Sequence, residues 1–275
     1  MKIKKGDIVG RKSYKKDIYF VVDKIIKINN NIEYAILKGL TIRIEADSPV
    51  SDLELISKKE IDERIKFLDN QIKCRVNKLS TQKYKNSCCR ENSIIYTGKI
   101  LHLDGDRRYS AKSSKYYREM GLNAIVRNIT ESRQPFVIKD LIYRYKPDIL
   151  VITGHDAMLK KCKDYNNIYN YKNSKHFITT VKEARKVVPS QDDLVIFAGA
   201  CQSFFEALIL AGANFASSPE RILIDFIDPL IVAEKVAITD SYRYITIHEI
   251  IPELKEGIKG VGGTRAKGKK EIIIV

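Results

Sequence analysis

The segments Asp148-Ile149-Leu150-Val151-Ile152-Thr153-Gly154-His155 and Asp193-Leu194-Val195-Ile196-Phe197-Ala198-Gly199-Ala200-Cys201 follow one plan. In each, an acidic residue leads into a short apolar run and a glycine or small residue ends it. A side chain able to exchange a proton or attack a carbonyl comes next. Runs of this length, rich in β-branched residues, suit strands buried on both faces, as in a parallel sheet covered by helices. If the two strands are neighbours, His155 and Cys201 leave the sheet side by side at its carboxyl edge. Open α/β sheets place their ligand sites there. The chemistry this pairing implies is a Cys nucleophile served by a His base.

The surrounding sequence supports an α/β fold with a mostly parallel sheet flanked by helices. From Ser93 onward strands and helices alternate. Strands are expected at Lys99–Leu103, Asn123–Val126 and Asn214–Ser217, and helices over 110–120, 135–146, 174–188 and 203–212. The glycine-rich basic tail Gly260–Lys270 reads as mobile, with Ile272–Val275 as an edge strand. Residues 1–57 read as a separate small β-domain, an SH3- or Tudor-like barrel. Its strands are Ile18–Val22, Tyr34–Gly39 and Thr41–Ala46. Ile61, Ile65, Leu68, Ile72, Val76 and Leu79 then recur at helical spacing. That predicts a linking helix over 58–79, followed by a polar boundary at Ser80–Asn92. The expected division is 1–57 β-barrel, 58–92 helix and linker, 93–275 catalytic α/β domain.

Composition narrows the classes. No apolar stretch reaches transmembrane length, and the start Met1–Asp7 lacks a signal-peptide core, so a cytoplasmic protein with no membrane insertion is expected. Five cysteines (Cys74, Cys88, Cys89, Cys162, Cys201) and four histidines (His102, His155, His176, His248) fit neither a disulfide framework nor a structural zinc set. The net charge is +15, and residues 1–90 carry 21 Lys/Arg against 12 Asp/Glu. That excess suits acidic partners or a solvated lysine surface. No RNP-type aromatic motif accompanies it, so nucleic acid is not an expected partner.

A free thiol is mostly protonated at neutral pH and needs activation. His155 can take the proton, and a helix starting at Gln202 would place its positive end beside the sulfur. The backbone N–H of Cys201, with that of Gly154 or Asp156, would form an oxyanion hole. The plainer readings are a space-filling buried cysteine and a surface histidine. The matched architecture of the two segments favours the catalytic one, and neither the other histidines nor the other cysteines share it.

Lys4-Lys5-Gly6-Asp7-Ile8-Val9, Leu101-His102-Leu103-Asp104-Gly105-Asp106, Thr153-Gly154-His155-Asp156-Ala157 and Ala198-Gly199-Ala200-Cys201-Gln202-Ser203 resemble the YabG family of sporulation-specific cysteine proteases. The two strand ends also resemble the caspase, gingipain and clostripain clan. The resemblance implies a caspase-like sheet and an endopeptidase that processes spore coat and cortex-associated proteins. It implies cleavage after basic residues, chiefly Arg, and self-cleavage, by a Cys-His dyad through a thioester with no metal or organic cofactor. The setting implied is the mother-cell cytoplasm of a sporulating bacterium, in association with the forming coat. An arginine pocket needs a carboxylate able to grip guanidinium in two places. Asp104 and Asp106 are the first candidates, Asp225 and Asp228 the second. In one respect the chain departs from the clan: there His precedes Gly, whereas here Gly154 precedes His155 and Asp156 follows it. Two rival readings are a glutaminase-like Cys-His amide hydrolase and a basic nucleic-acid-binding scaffold without catalysis.

Overall fold

Alternating apolar and polar residues build the first layer. In the computed structural model, which describes residues 2–28, 32–85, 93–159 and 164–274, β1 (Ile8–Arg11), β2 (Tyr19–Ile28), β3 (Ile32–Gly39), β4 (Glu45–Pro49) and β5 (Leu53–Leu55) pair antiparallel. Their order is β4-β3-β2-β1-β5. Val9, Phe20, Val22, Ala35, Leu37 and Leu53 fill a small core. One expected strand is displaced: pairing with β3 begins at Glu45, so Thr41–Ile44 stand outside this sheet. The backbone of Ile44 pairs instead with Asp156, far along the chain. A tertiary contact has overridden an alternating local pattern.

α1 (Lys58–Lys85) continues past the expected end at residue 79. The rest of the expected linker, residues 86–92, lies outside the described residues, as do Cys88, Cys89 and Cys162. Of the apolar stripe, Ile72 joins the main core, and Lys112 pairs with Asp69 at 3.1 Å across the helix contact.

After β6 (Ser93–Tyr96) the alternation runs β7 (Ile100–Asp104), α2 (Arg107–Glu119), β8 (Ala124–Asn128), α3 (Gln134–Tyr145), β9 (Ile149–Thr153), α4 (Ser174–Val187), β10 (Val195–Ala198), α5 (Phe205–Leu210), β11 (Phe215–Ser217) and α6 (Asp228–Ile238). Then come β12 (Tyr244–Thr246), α7 (Ile247–Ile250), α8 (Gly257–Gly260), β13 (Val261–Gly263), β14 (Arg265–Lys267) and β15 (Glu271–Ile274). The main sheet has the order β8-β7-β9-β10-β11-β13, with the first five parallel and β13 antiparallel. Alternate residues of each strand feed opposite faces. Ile149, Val151, Val195 and Phe197 pack with α2 and α6. Leu150, Ile152 and Ile196 pack with α3, α4 and α5. The winding direction reverses between β7 and β9, which opens a crevice beyond their carboxyl ends.

Two expectations are corrected here. The helix after Cys201 begins only at Phe205 and has 6 residues. Ser203 lies in the turn before it, where its hydroxyl accepts the Ala200 N–H at 2.9 Å and donates to Asp156 at 2.8 Å. The tail is not mobile either, because β13 extends the main sheet, β14 pairs with β12, and β15 pairs with β6. Its glycines serve close packing. Gly263, at φ 152°, lies against Phe215 and the Asn214 carbonyl, where a Cβ has no room. Among the described residues no helix is long and apolar enough to cross a membrane.

Candidate active site

β9 and β10 are parallel neighbours with Ile152 opposite Ala198, and three residues beyond each stand His155 and Cys201. β7, on the other side of β9, delivers Asp104 and Asp106 to the same edge. The two matched segments are thus neighbouring parallel strands, as their shared plan implies.

His155 is fully buried and held from three sides. Its N–H donates to Glu131 Oε1 at 2.7 Å, its Nε2 meets Asp106 Oδ2 at 2.9 Å, and its Nδ1 lies 3.3 Å from the Ile44 carbonyl oxygen. Asp106, named as a guanidinium-gripping candidate, meets the imidazole and the Arg108 guanidinium of its own helix. It caps the N-terminus of α2 by accepting the Arg108 N–H at 2.7 Å, and that geometry turns its second oxygen onto the imidazole. Burial pushes the Asp106 carboxyl up, but His155 and Arg108 outweigh it and hold the group well below the usual carboxylate range. An ionised carboxylate only accepts, so Nε2 carries the proton of that bond, and Nδ1 is the ring nitrogen on the Ile44 side.

Asp104 is fully buried and grips a guanidinium, that of Arg43 from the displaced Thr41–Ile44 segment. Arg43 Nε and Nη2 donate to Asp104 Oδ2 at 3.1 and 2.9 Å, and Nη1 donates to the Phe226 carbonyl at 2.9 Å. The cation lies 4.9 Å from the centres of both the Tyr109 and Phe226 rings, which stack on one another. Asp104 is itself positioned by a buried relay. Tyr117 meets His102 Nδ1 at 3.1 Å, His102 Nε2 meets Thr153 Oγ1 at 2.7 Å, and Thr153 donates to Asp104 at 2.9 Å. Burial pushes the His102 imidazole down to about 3, so it works as a neutral link. The second-choice carboxylates make local turns: Asp225 accepts the Ile227 N–H at 3.3 Å, and Asp228 accepts those of Asp225 and Lys255 at 3.2 and 3.4 Å.

Cys201 departs from expectation in two respects. Its sulfur is fully buried and accepts the Ile224 N–H at 3.4 Å. Burial pushes the thiol up to about 12, against the opposing pull of the Ile224 amide and of the charge and amide of Arg43. The nearby helix is too short and too far along the chain to supply the expected dipole. Iodoacetamide is therefore expected to label exposed Cys74 well before Cys201 at neutral pH. Reactivity at Cys201 should climb as pH rises toward 12, because the thiolate fraction grows throughout that range. Peptide mapping of the alkylated protein reads this directly; equal labelling of both at pH 7 contradicts a sealed sulfur.

Asp156 contributes through its backbone. Its N–H donates to the Arg43 carbonyl at 3.4 Å, and its own carbonyl accepts the Glu45 N–H at 3.3 Å. Its buried side chain accepts from Ser174, Ser203, Ala157 and Asn173 and is pushed up to about 6 by that burial. It ties the loop after β9 to α4 and to the turn after Cys201, and it does not touch the imidazole. The Cys201 amide sits in that turn. Gly154, the other residue named for the oxyanion hole, packs against Glu131, as does Gly105, with no room for a Cβ at either. Glu131 has no signature in the sequence beyond those two glycines at strand ends. Gly154→Ala must displace the Glu131 carboxylate from the His155 amide. We expect a loss of about 1–3 kcal/mol in urea unfolding; unchanged stability removes the close-packing account. Among the described residues no cluster of three or more His, Cys, Asp or Glu side chains could hold a metal ion.

The family model described as YabG peptidase U57 matches residues 4–274. The sporulation-specific protease YabG of Bacillus subtilis (strain 168) is 38% identical over 282 residues, spanning 98% of this chain and 96% of that protein. Among solved structures, the A domain of a carboxylic acid reductase from Segniliparus rugosus, in complex with AMP and a carboxylic acid, covers 76% of this chain and 26% of its own. Its TM-score is 0.29 at 12% identity, a likeness that carries neither fold nor function.

Proposed function

The chain belongs to the YabG peptidase U57 family, and from that premise we propose that it is a cysteine endopeptidase of sporulation that cleaves after arginine. Cys201 is the nucleophile. His155 carries the thiol proton to the leaving amine, and water then resolves the thioester. The N–H groups of Asp156 and Cys201 hold the oxyanion, while Asp104, the Phe226 carbonyl and the Tyr109 and Phe226 rings hold the arginine side chain. Asp106 adds a third member to the expected dyad by fixing the imidazole through Nε2. A single observation carries this reading. One backbone segment places an arginine side chain on a buried carboxylate and, in the same residue, a carbonyl oxygen 3.4 Å from the Asp156 N–H.

The caspase-like assignment belongs to the same reading. It is supported by a mostly parallel, helix-flanked sheet whose third and fourth strands, in chain order, end in His155 and Cys201. Coat and cortex-associated proteins of the forming spore, met in the mother-cell cytoplasm, are the proposed substrates. Self-cleavage is part of the proposal, and the small N-terminal sheet is its SH3-like module.

The test is a pair of peptides differing only in Arg or Gln before the scissile bond, with free glutamine as a third substrate. Hydrolysis of the Arg peptide alone supports the reading; glutamine hydrolysis instead supports the amide-hydrolase rival. Asp106→Asn should lower kcat for the Arg peptide about 100-fold with little change in KM, since it misdirects a proton carrier without touching the pocket. An unchanged kcat restores the two-residue dyad.

A further inference from the structure

Thr41–Glu45 does not merely cover the site; it lies in it as a bound peptide lies in a cleft. Arg43 fills the guanidinium pocket, with all three of its nitrogen atoms donating to Asp104 or the Phe226 carbonyl. Its carbonyl faces the Asp156 N–H, and its amide is close enough to the Cys201 sulfur to act on it. Downstream, Ile44 pairs with Asp156 as a strand would, and its carbonyl stands 3.3 Å from His155 Nδ1. That nitrogen is the one left to protonate a leaving amine. The cleft also continues both ways. A cavity of about 650 Å³ touches Thr41, Tyr109 and Phe226 on the upstream side. Another of about 320 Å³ touches Ile44, Glu45, Met158 and Gln202 downstream. No structural need of the first sheet explains a fully buried arginine aimed 61 positions along the chain.

We propose that Arg43–Ile44 is a self-cleavage site, held in cis across Cys201 and His155, and that the uncut segment keeps other substrates out. This rests on the peptidase reading above. The Cys201 sulfur bonds to the Arg43 carbonyl carbon, and its proton passes to His155. The C–N bond to Ile44 breaks, and the proton leaves on the Ile44 amine. Water then adds its oxygen to the thioester carbon and returns a proton to sulfur, which frees the Arg43 carboxylate and restores the thiol. The two pieces stay together, because β3 pairs with β4 and β1 with β5 across the cut. Only the new ends near residue 43 need to leave the cleft. Before the cut, a segment tethered at both ends competes at an effective concentration that dilute substrate cannot match.

The experiment follows purified full-length wild type, Ile44→Pro, Arg43→Gln and Cys201→Ala by intact mass and N-terminal sequencing, alongside turnover of an Arg peptide. Thermal melts establish that each variant is folded. In wild type a new N-terminus at Ile44 is expected, forming at a rate independent of protein concentration, with peptide turnover rising as the cut fraction rises. Ile44→Pro should stay uncut and turn over peptide at least about tenfold more slowly. Arg43→Gln should stay uncut yet act on peptide without a lag, since its occupant no longer holds the pocket. Wild type that turns over peptide at full rate with the 43–44 bond intact overturns the inference and leaves the peptidase reading standing. Ile44→Pro as fast as wild type does the same. Absence of Arg-peptide cleavage by every variant overturns the peptidase reading and this inference with it.

Discussion

Cys201→Ala and His155→Ala are each expected to abolish cleavage of an Arg peptide, by about 10⁵–10⁶-fold, while the protein stays folded. The size reflects function as a unit: with the nucleophile gone no thioester forms, and with the imidazole gone the thiol keeps its proton. That second consequence weighs heavily here, because burial already pushes the Cys201 thiol up to about 12. On the proposed mechanism the Asp156 and Cys201 amides still polarise a bound carbonyl in either variant, so a trace of water attack is the expected floor. Stability should change little for Cys201→Ala, since the side chain is small and the Ile224 N–H loses only a weak 3.4 Å sulfur acceptor. His155→Ala leaves Asp106 with the Arg108 guanidinium as its ion-pair partner, at 3.1 Å. Co-expression with a candidate coat protein, followed by mass-spectrometric mapping of new termini, checks both. A single wild-type terminus persisting in either variant assigns the cut to another protease or to another nucleophile.

His155 and Cys201 are legible because a strand buried on both faces needs an unbroken apolar run, and the reactive side chain just beyond its carboxyl end stands out against it. The same alternation logic fails at the start of Thr41-Ile42-Arg43-Ile44-Glu45-Ala46, which reads as one strand although only Glu45 and Ala46 pair with β3. Arg43 and Ile44 meet Asp104, Phe226, Asp156 and His155, which lie 61 or more positions away and leave no mark on the local pattern. Asp104 is legible as a carboxylate able to meet a guanidinium, but the sequence does not say that the arginine is the chain's own. Only proximity groups Asp106 with it. What separates them is that Asp106 caps α2, and a capping side chain has its direction set by the helix rather than by the strand. Glu131 is illegible for a different reason. It sits in a short turn before α3, and only the missing side chains of Gly105 and Gly154 betray the space it takes.

Asp104→Asn is expected to lower kcat/KM for an Arg peptide about 10²–10³-fold, with Gln- and Lys-containing peptides losing far less. Removing one partner of a buried, hydrogen-bonded ion pair costs about 3–5 kcal/mol, chiefly because the other charge is left buried without its counterion. Both guanidinium N–H groups end on the one oxygen Oδ2, and asparagine keeps the shape and can place its amide oxygen there, so the effect isolates charge from pocket size. The Phe226 carbonyl and the Tyr109 and Phe226 rings remain, and they set the residual affinity for any cation or flat amide. The same substitution acts on the resting protein. Arg43, 1% exposed, loses the only carboxylate to which it is paired in the described structure, so the segment over the cleft loosens. Faster alkylation of Cys201 and slower turnover of Arg peptide should therefore appear together in one variant. Such opposite movement separates a specificity pocket from a merely structural ion pair: general unfolding would speed labelling while abolishing turnover of every peptide alike. Arg preference preserved in Asp104→Asn would assign the pocket elsewhere.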